Sequence, residues 1–133
     1  MGIPPYLITS SVNGVVAQRL LRVLCPGCKE AWEPPPDVRL PLGLLEPVTV
    51  YRPKGCPRCL GTGVIGRTGV FELLMLTPGL CDLIMAKTSE GDLRREAKTA
   101  GYIPMFAAGL RKVIAGEVAL EEITRVIEFD DPA

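Results

Sequence analysis

Two Cys-Pro-x-Cys pairs constrain the fold of this 133-residue chain more than any other feature of its sequence. The pairs are Cys25-Pro-Gly-Cys28 and Cys56-Pro-Arg-Cys59, and residues 29–55 separate them. A two-residue spacing puts both sulfur atoms on one side of a tight turn, and the proline presets φ for that turn. Two such turns supply the four thiolates of a tetrahedral site, which Zn²⁺ favours. The pattern therefore predicts a metal site at Cys25, Cys28, Cys56 and Cys59.

The chemistry of four cysteines leaves some alternatives to zinc. Iron bound by four thiolates uses the same turn, so the spacing does not separate the two metals. Two disulfides do not suit a chain without a signal peptide, and a redox Cys-x-x-Cys would explain only one of the pairs. Because four thiolates close the coordination shell and leave no position for water, the site is predicted to be structural. Cys81 falls on the apolar face of a predicted short helix and is interpreted as a packing residue.

The glycines after the second cysteine pair resemble two nucleotide-binding motifs. Gly61, Gly63 and Gly66 spell the G-x-G-x-x-G of dinucleotide-binding folds, and Gly61 to Thr68 approach the phosphate loop, with Arg67 in the place of lysine. Both motifs need a strand before the glycines and a helix after them. Here a cysteine pair precedes them and a strand-like stretch follows. The glycines are therefore predicted to be turn residues with positive φ, and no cofactor-binding residue is assigned.

Composition excludes several classes of function. Histidine is absent, which removes histidine-based acid–base catalysis and every histidine metal ligand. The net charge is zero and aromatic residues make up 5%, so neither a strongly basic face nor a base-stacking platform for nucleic acid is expected. No catalytic residues are assigned. The polar residues worth testing, each with a surface or ion-pair explanation favoured, are Arg67, Glu72, Arg94 and Arg95. The carboxylates Glu117, Glu121 and Glu122 are interpreted as a solvated helix face.

Hydrophobic patterning predicts an α+β fold. Ile8, Val12, Val15 and Val16 follow helical spacing in part, and the stretch before Cys25 alternates like a strand. Residues 25–69 are rich in proline and glycine and predict a loop-rich lobe with short strands, of which "VTVYRP" is the clearest. After "VFELLML", which is β-like, four short helices are predicted. The first is capped by Thr77 with Pro78 at its first position, and the second is capped by Ser89. No apolar run approaches the roughly 20 residues of a membrane helix, and no signal peptide is recognised, so a cytosolic chain is expected.

These residues together resemble the C-terminal part of the ATPases that drive type II secretion and type IV pilus assembly, the GspE/PilB-like family. The resemblance runs in order through "PYLITSSVNGVVAQRLLRVLCPGCKE", "YRPKGCPRCLGTGVIGRTGVFELL", "TPGLCDLI" and "GLRKVIAGEVALEEITRV". It places the four paired cysteines on the family's tetracysteine metal site. It also implies three segments: residues 1–24 as the end of a RecA-like ATPase domain, 25–69 as a zinc lobe and 70–133 as a helical subdomain.

The resemblance further implies a role within a larger motor. Such ATPases are hexamers on the cytoplasmic face of the inner membrane, and they couple ATP hydrolysis to pilin-like assembly through membrane platform proteins. Their phosphate loop, magnesium-binding acidic segment and histidine motif would lie upstream of Met1, so ATP and Mg²⁺ would bind only to the full-length parent. This chain alone is then expected to be a zinc module for structure and contacts, without ATPase activity. Residues 1–16 are predicted to be loosely held.

The competing hypothesis is a free-standing zinc module with another binding role. "CPRCLGTG" matches one Cys-x-x-Cys-x-Gly-x-Gly unit of the kind repeated in J-domain chaperones, but "CPGCKEAW" lacks the glycines. A nucleic-acid-binding zinc ribbon is the second version, and the zero net charge disfavours it.

Overall fold

Six α-helices and four strands occupy residues 2–127, the part of the chain that the computed structural model describes. In chain order they are α1 Pro5–Ser11, β1 Gly14–Leu24, β2 Glu30–Trp32, α2 Pro36–Arg39, β3 Val50–Arg52, β4 Val64–Met75, α3 Pro78–Met85, α4 Glu90–Thr99, α5 Met105–Ile114 and α6 Leu120–Val126. Single 3-10 turns lie at Leu40–Leu42 and Pro57–Cys59. Short strands in a loop-rich lobe, followed by four short helices, confirm the predicted α+β class.

The strands form two small sheets. β1 pairs with β4, and β2 pairs antiparallel with β3 in the register Glu30 opposite Arg52 and Trp32 opposite Val50. The pairing of β2 with β3 returns the chain from the first cysteine turn to the second. The strand predicted within "VTVYRP" is therefore present as β3, and it begins two residues later, at Val50.

Contacts divide the described chain into two compact units. One contains residues 2–17 and 71–103, and the other contains residues 18–70 and 104–127. Each unit holds one end of both β1 and β4. The three segments inferred from the family resemblance, 1–24, 25–69 and 70–133, remain a prediction. Grouping by contacts does not test them, because it joins pieces that are far apart in the chain.

The second unit contains the tightest packing. Leu21 of β1, Val50 of β3 and Ile123 of α6 are all fully enclosed, with no exposed surface. Val113 of α5 joins them, and α5 contacts both α6 and β3. Each fully buried aliphatic side chain of this size stabilises the fold by about 2 kcal/mol. This core packs the two final helices, α5 and α6, against β3 of the cysteine lobe.

The first unit is built from α1, α3, α4 and the remaining strand ends. The Thr77 hydroxyl accepts a hydrogen bond from the Leu80 amide and Pro78 occupies the first turn of α3, as the sequence predicts. The Ser89 hydroxyl likewise accepts from the Asp92 amide and begins α4. Thr77 and Ser89 are therefore confirmed as helix caps. Leu80 is the main buried aliphatic residue of this unit.

Two predicted element boundaries are wrong. The helical stripe through Val12, Val15 and Val16 does not form, because α1 ends at Ser11 and Val12 already has extended dihedral angles. β-branched valines favour extended chain, and they join β1 instead. The strand after the second cysteine pair starts at Val64 and not after Gly69. The predicted fourth helix falls within the described residues up to Ile127, and the acidic tail beyond it lies outside them.

Candidate metal centre

The first cysteine pair sits on a turn directly after β1. The amide of Lys29 donates to the Cys25 carbonyl at 3.1 Å, which closes the turn around Pro26 and Gly27. The Cys25 amide donates to the Gly63 carbonyl at 2.9 Å, and Cys25 has no exposed surface. This turn, at residues 25–28, is called the first knuckle, and the turn at residues 56–59 is called the second. The first knuckle is thereby hydrogen-bonded to the residue Gly63, which follows the second.

The second cysteine pair spans one 3-10 turn. Cys56 is extended, Pro57–Cys59 forms the turn, and Leu60 then takes a left-handed conformation with φ of 57°. The Cys59 sulfur accepts hydrogen bonds from the amides of Cys56 and Gly63, each at 3.1 Å. Two amides directed at one sulfur stabilise its thiolate form.

Glycine at position 63 is required by its surroundings. Its φ is +79°, and a side chain there would place Cβ only 2.4 Å from Cβ of Pro53. Gly61 and Gly66 also have positive φ, of 78° and 73°. The prediction of turn residues with positive φ is confirmed for Gly61 and Gly63, whereas Gly66 has the positive φ but lies within β4. A strand, β4, and not a helix begins directly after Gly63, so the structural context of a phosphate loop is absent at this position.

The four paired cysteines converge on one point. Their Sγ atoms all lie within 4.8 Å of one another. Cys25 and Cys56 are separated by 3.8 Å, Cys28 and Cys59 by 3.8 Å, and Cys56 and Cys59 by 3.7 Å. A metal with Zn–S bonds of about 2.3 Å in tetrahedral geometry requires sulfur atoms about 3.8 Å apart. The donor set and its spacing therefore fit a four-thiolate metal ion, and both zinc and iron accept such ligands.

The thiols differ in their acidity. Burial raises the pKa of Cys59, but the amide donors from Cys56 and Gly63, together with the neighbouring thiols of Cys56 and Cys28, outweigh burial and lower the pKa to about 6. Burial and the neighbouring thiols raise the pKa of Cys28 to about 11, against the opposing effect of the Gly55 amide. A bound metal needs thiolates, so metal binding at Cys28 would release a proton near neutral pH.

Two basic residues near the cysteines, Lys29 and Lys54, are engaged with other groups. Lys29 Nζ donates to the Gly116 carbonyl at 2.9 Å and lies 4.6 Å from the centroid of the Tyr51 ring. Lys54 pairs with Glu30 at 3.5 Å. Their charges still lie in the same lobe as the thiolates, although their contacts are made elsewhere.

The other residues selected from the sequence lie outside this cluster. Arg94 pairs with Glu90 on α4, and Arg95 pairs with Asp92 on the same helix. Pairs of this kind, three or four residues apart, are ordinary on an exposed helix. Arg67 is exposed on β4.

Two further residues from that selection lie in the first unit. Glu72 is half-buried on β4, and Cys81 is half-buried in α3. Among the described residues, the group placed to hold a metal contains only the four paired cysteines and excludes Cys81.

Glu122 was wrongly interpreted as part of a solvated helix face. Its side chain is 6% exposed, whereas Glu117 and Glu121 are exposed as predicted. The Glu122 carboxylate accepts hydrogen bonds from the Arg22 amide at 3.0 Å, the Arg22 guanidinium at 3.0–3.3 Å and Arg125 at 2.9 Å. It therefore joins α6 to β1, the strand that leads into the first knuckle.

This ion cluster shifts two pKa values. Burial raises the pKa of Glu122, but the hydrogen bonds from Arg22 and Arg125 outweigh burial and hold it below its ordinary value. The hydrogen bond and charge of Glu122 raise the pKa of Arg22. In the sequence only Arg125, three residues after Glu122, signalled a partner, and nothing in local spacing points to Arg22.

Fold and site together define a small α+β module built around a tetracysteine cluster that is placed to hold a metal ion. The family model described as "Type II/IV secretion system protein" matches residues 1–125. Because this match covers most of the chain, the protein belongs to that family, as the sequence resemblance implied.

Curated relatives come from both secretion and pilus assembly. The chain is 42% identical over 128 residues to "Type II secretion system protein E" of Pseudomonas aeruginosa, covering 95% of this chain and 25% of the relative. It is equally similar to "Type II secretion system ATPase E" of Vibrio cholerae, with the same coverage. It is 35% identical over 134 residues to "Type IV pilus assembly ATPase TfpB" of Acinetobacter baylyi, covering 96% of this chain and 22% of the relative.

The chain therefore spans about a quarter of the length of the relatives that it matches. Within residues 2–127, no helix has the length and apolar character needed to cross a membrane.

Proposed function

We propose that this chain is the zinc-binding module of a type II secretion or type IV pilus assembly ATPase. The observation that carries the proposal is that all four sulfur atoms lie within 4.8 Å of one another and that three of their six separations, at 3.7–3.8 Å, match a four-thiolate tetrahedron. Cys25, Cys28, Cys56 and Cys59 would be the ligands, and the ion would be structural because four thiolates leave no open position. Zinc is preferred over iron because structural sites of this composition typically hold zinc.

The proposed role is in structure and contacts, and not in catalysis by this chain. Relatives named as ATPases are about four times longer, so we assign ATP and Mg²⁺ binding to parts of a full-length parent outside these residues. Residues 1–24 would complete the ATPase domain, residues 25–69 would form the zinc lobe, and residues 70–133 would form the helical subdomain. This division follows the family resemblance.

The partners proposed for the parent are other subunits of a homohexamer and platform proteins of the inner membrane. The module would act at the cytoplasmic face through these partners, without binding nucleic acid and without inserting into the membrane. Supporting this proposal, relatives from both secretion and pilus assembly match almost the whole chain. The module is therefore proposed to serve a step that both kinds of machine share.

The metal content of the purified protein tests the site. Elemental mass spectrometry of unsupplemented protein should give one zinc per chain, and Cys59→Ser should lose most of it. Cys81→Ser is the matched control, because Cys81 lies outside the cluster and its replacement should leave the zinc content unchanged. Iron in place of zinc would shift the proposal towards electron transfer, and a folded protein with no metal would reject it.

Calorimetry with the cytoplasmic domain of a platform protein tests the contact role. Binding that is retained by Cys81→Ser and lost by Cys59→Ser would support a metal-dependent contact. Equal binding by both variants would place the contact away from the cysteine lobe. Absence of binding by the unmutated chain would reject this partner.

A further inference from the structure

The first cysteine knuckle is held on both sides by one turn of the chain, at residues 115–119 between α5 and α6. Leu24, directly before Cys25, donates its amide to the Glu117 carbonyl at 2.8 Å. Lys29, directly after Cys28, donates its Nζ to the Gly116 carbonyl at 2.9 Å. Two successive carbonyls thus bind the two residues that flank the knuckle. The distance between these donors depends on the geometry of the knuckle itself.

The turn fits closely against the residues that it contacts. Gly116 has φ of +81°, and a side chain there would place Cβ 3.1 Å from Lys29 Nζ and 3.2 Å from the Tyr51 ring. The same ring lies 4.6 Å from Lys29 Nζ, so the ammonium group is enclosed between an aromatic face and a carbonyl. A larger residue at position 116 would displace Lys29 or the turn.

The turn is also rigidly connected to the helices on either side. The Gly116 amide donates to Val113 and the Glu117 amide donates to Lys112, which continues α5 into the turn. Val118 has no exposed surface and Ala119, the residue before α6, is 7% exposed. A shift of the Gly116 and Glu117 carbonyls would therefore also displace the packed side chains of Val118 and Ala119.

We propose that metal binding at the four cysteines and packing of the α5–α6 hairpin stabilise each other through this contact, with Lys29 as a positioning residue. The inference rests on the proposed metal site. A knuckle fixed by a metal holds the Leu24 and Lys29 donors at the spacing of the two carbonyls. By linkage, the factor by which a bound metal strengthens the contact with the turn equals the factor by which that contact strengthens metal binding. A variant that loses the contact should therefore bind the metal more weakly by that factor.

A purely electrostatic role for Lys29 predicts a different pattern. If its charge alone mattered, any nearby lysine would have a similar effect on a site with excess negative charge. Lys54 lies two residues before Cys56, is 63% exposed in its side chain, and pairs with Glu30 instead of the turn. Lys54→Met therefore removes the same charge from the same lobe without removing the contact, which makes it the matched control.

The experiment measures zinc affinity by competition with a chromophoric chelator in the full chain. Lys29→Met should lower the affinity by at least about fivefold, and so should Gly116→Ala, which changes no charge and lies 57 residues from Cys59. Lys54→Met should stay within about twofold of the parent protein. Lys29→Met keeps the apolar stem, so it remains informative even if Gly116→Ala does not fold.

Hydrogen exchange of the Leu24 amide gives a second readout. Because this amide donates to the Glu117 carbonyl, its protection should rise on zinc binding in the parent protein, and should rise less in Lys29→Met. Equal zinc affinity in Lys29→Met, Lys54→Met and the unmutated chain would overturn the inference while leaving the metal site intact. Absence of zinc binding by the unmutated chain would instead reject the proposed metal site.

Discussion

The two compact units of this chain differ in how much of their apolar surface they bury. In the second unit Leu21, Val50, Val113 and Ile123 have no exposed surface, and the cysteine cluster lies among the same elements. In the first unit the buried hydrophobic residues of the described chain are Leu80 and Ala97. This unit instead exposes large apolar side chains, which include Tyr6, Val16, Phe71, Leu73 and Met75.

The comparison indicates that the two units obtain their stability differently. The second unit has an enclosed core and a proposed metal that pins its loops. The first unit has too little buried apolar surface to be stable to the same degree. Exposed apolar patches commonly mark contacts with other polypeptide, and this chain spans about a quarter of the length of its relatives. We therefore expect the first unit to be the less stable one in this chain alone.

Loss of a metal ligand should have the largest effect on this difference. Structural zinc can contribute on the order of 10 kcal/mol to the folding of a small domain. Cys59→Ser should therefore abolish the slow hydrogen exchange of β3, α5 and α6, while exchange within α3 and α4 changes little. Cys81→Ser should leave both units as they are. Equal loss of protection in both units on Cys59→Ser would show that they fold as one.

Substitution of one large apolar residue in each unit, enclosed in the second unit and exposed in the first, should have the next largest effect. Ile123→Ala removes a fully enclosed side chain and should lower the free energy of unfolding by about 3 kcal/mol. Phe71→Ala removes a ring that is 55% exposed and should change it by no more than about 0.5 kcal/mol. Urea titrations of both variants measure the two values. A cost for Phe71→Ala near that of Ile123→Ala would mean that its ring is covered in solution.

The buried carboxylate should have an intermediate effect. Glu122→Ala removes the hydrogen bonds that join α6 to β1 and should cost about 2 kcal/mol. The loss stays at this level because both arginine partners are about half exposed and water can solvate them. Glu121→Ala, on the exposed neighbour, is the control and should be close to neutral. Equal costs would contradict the assignment of Glu122 as the carboxylate that connects the two elements.

The stabilisation provided by the Glu122 carboxylate should also depend on pH. Because the folded pKa of Glu122 lies below its ordinary value of 4.5, its contribution is complete above that value and is lost as pH falls through the folded pKa. The difference in unfolding free energy between the parent protein and Glu122→Gln should be constant from about pH 7 to about pH 5, and shrink below that. Glu121→Gln should show no such change. A difference that grows on acidification would reverse the sign and reject the shift.

The smallest expected effect concerns the first residues of the chain. Residues 2–16 include α1, in which no residue is buried, so their amides should exchange faster than those of α5. Hydrogen exchange followed by mass spectrometry measures both segments in one experiment. Protection of residues 2–16 equal to that of α5 would show that the first unit is held as firmly as the second.

The convergence of the four paired cysteines could be predicted from the sequence because the spacing within each pair is local information. Spacing within each Cys-Pro-x-Cys pair fixes a turn, and the chemistry of four thiolates limits what the two turns can do together. The helix caps Thr77 and Ser89 were predictable for the same reason, since each acts within three residues. Both predictions needed no knowledge of how distant segments meet.

The contacts that stabilise the lobe were not predictable, because their partners lie far apart in sequence. Glu122 meets Arg22 across 100 residues, and Lys29 meets Gly116 across 87. Nothing in the spacing around Glu122 distinguishes it from its exposed neighbour Glu121. Similarly, the end of α1 depends on extended chain at Val12, which a periodic apolar stripe conceals.

X-ray absorption at the zinc edge of the purified protein tests the central claim most directly, because it reports both the metal and its ligands. The account predicts one zinc with four sulfur neighbours at about 2.3 Å, lost in Cys59→Ser and retained in Cys81→Ser. Zinc bound by oxygen or nitrogen ligands, or a protein that folds without any metal, would contradict the four-thiolate site.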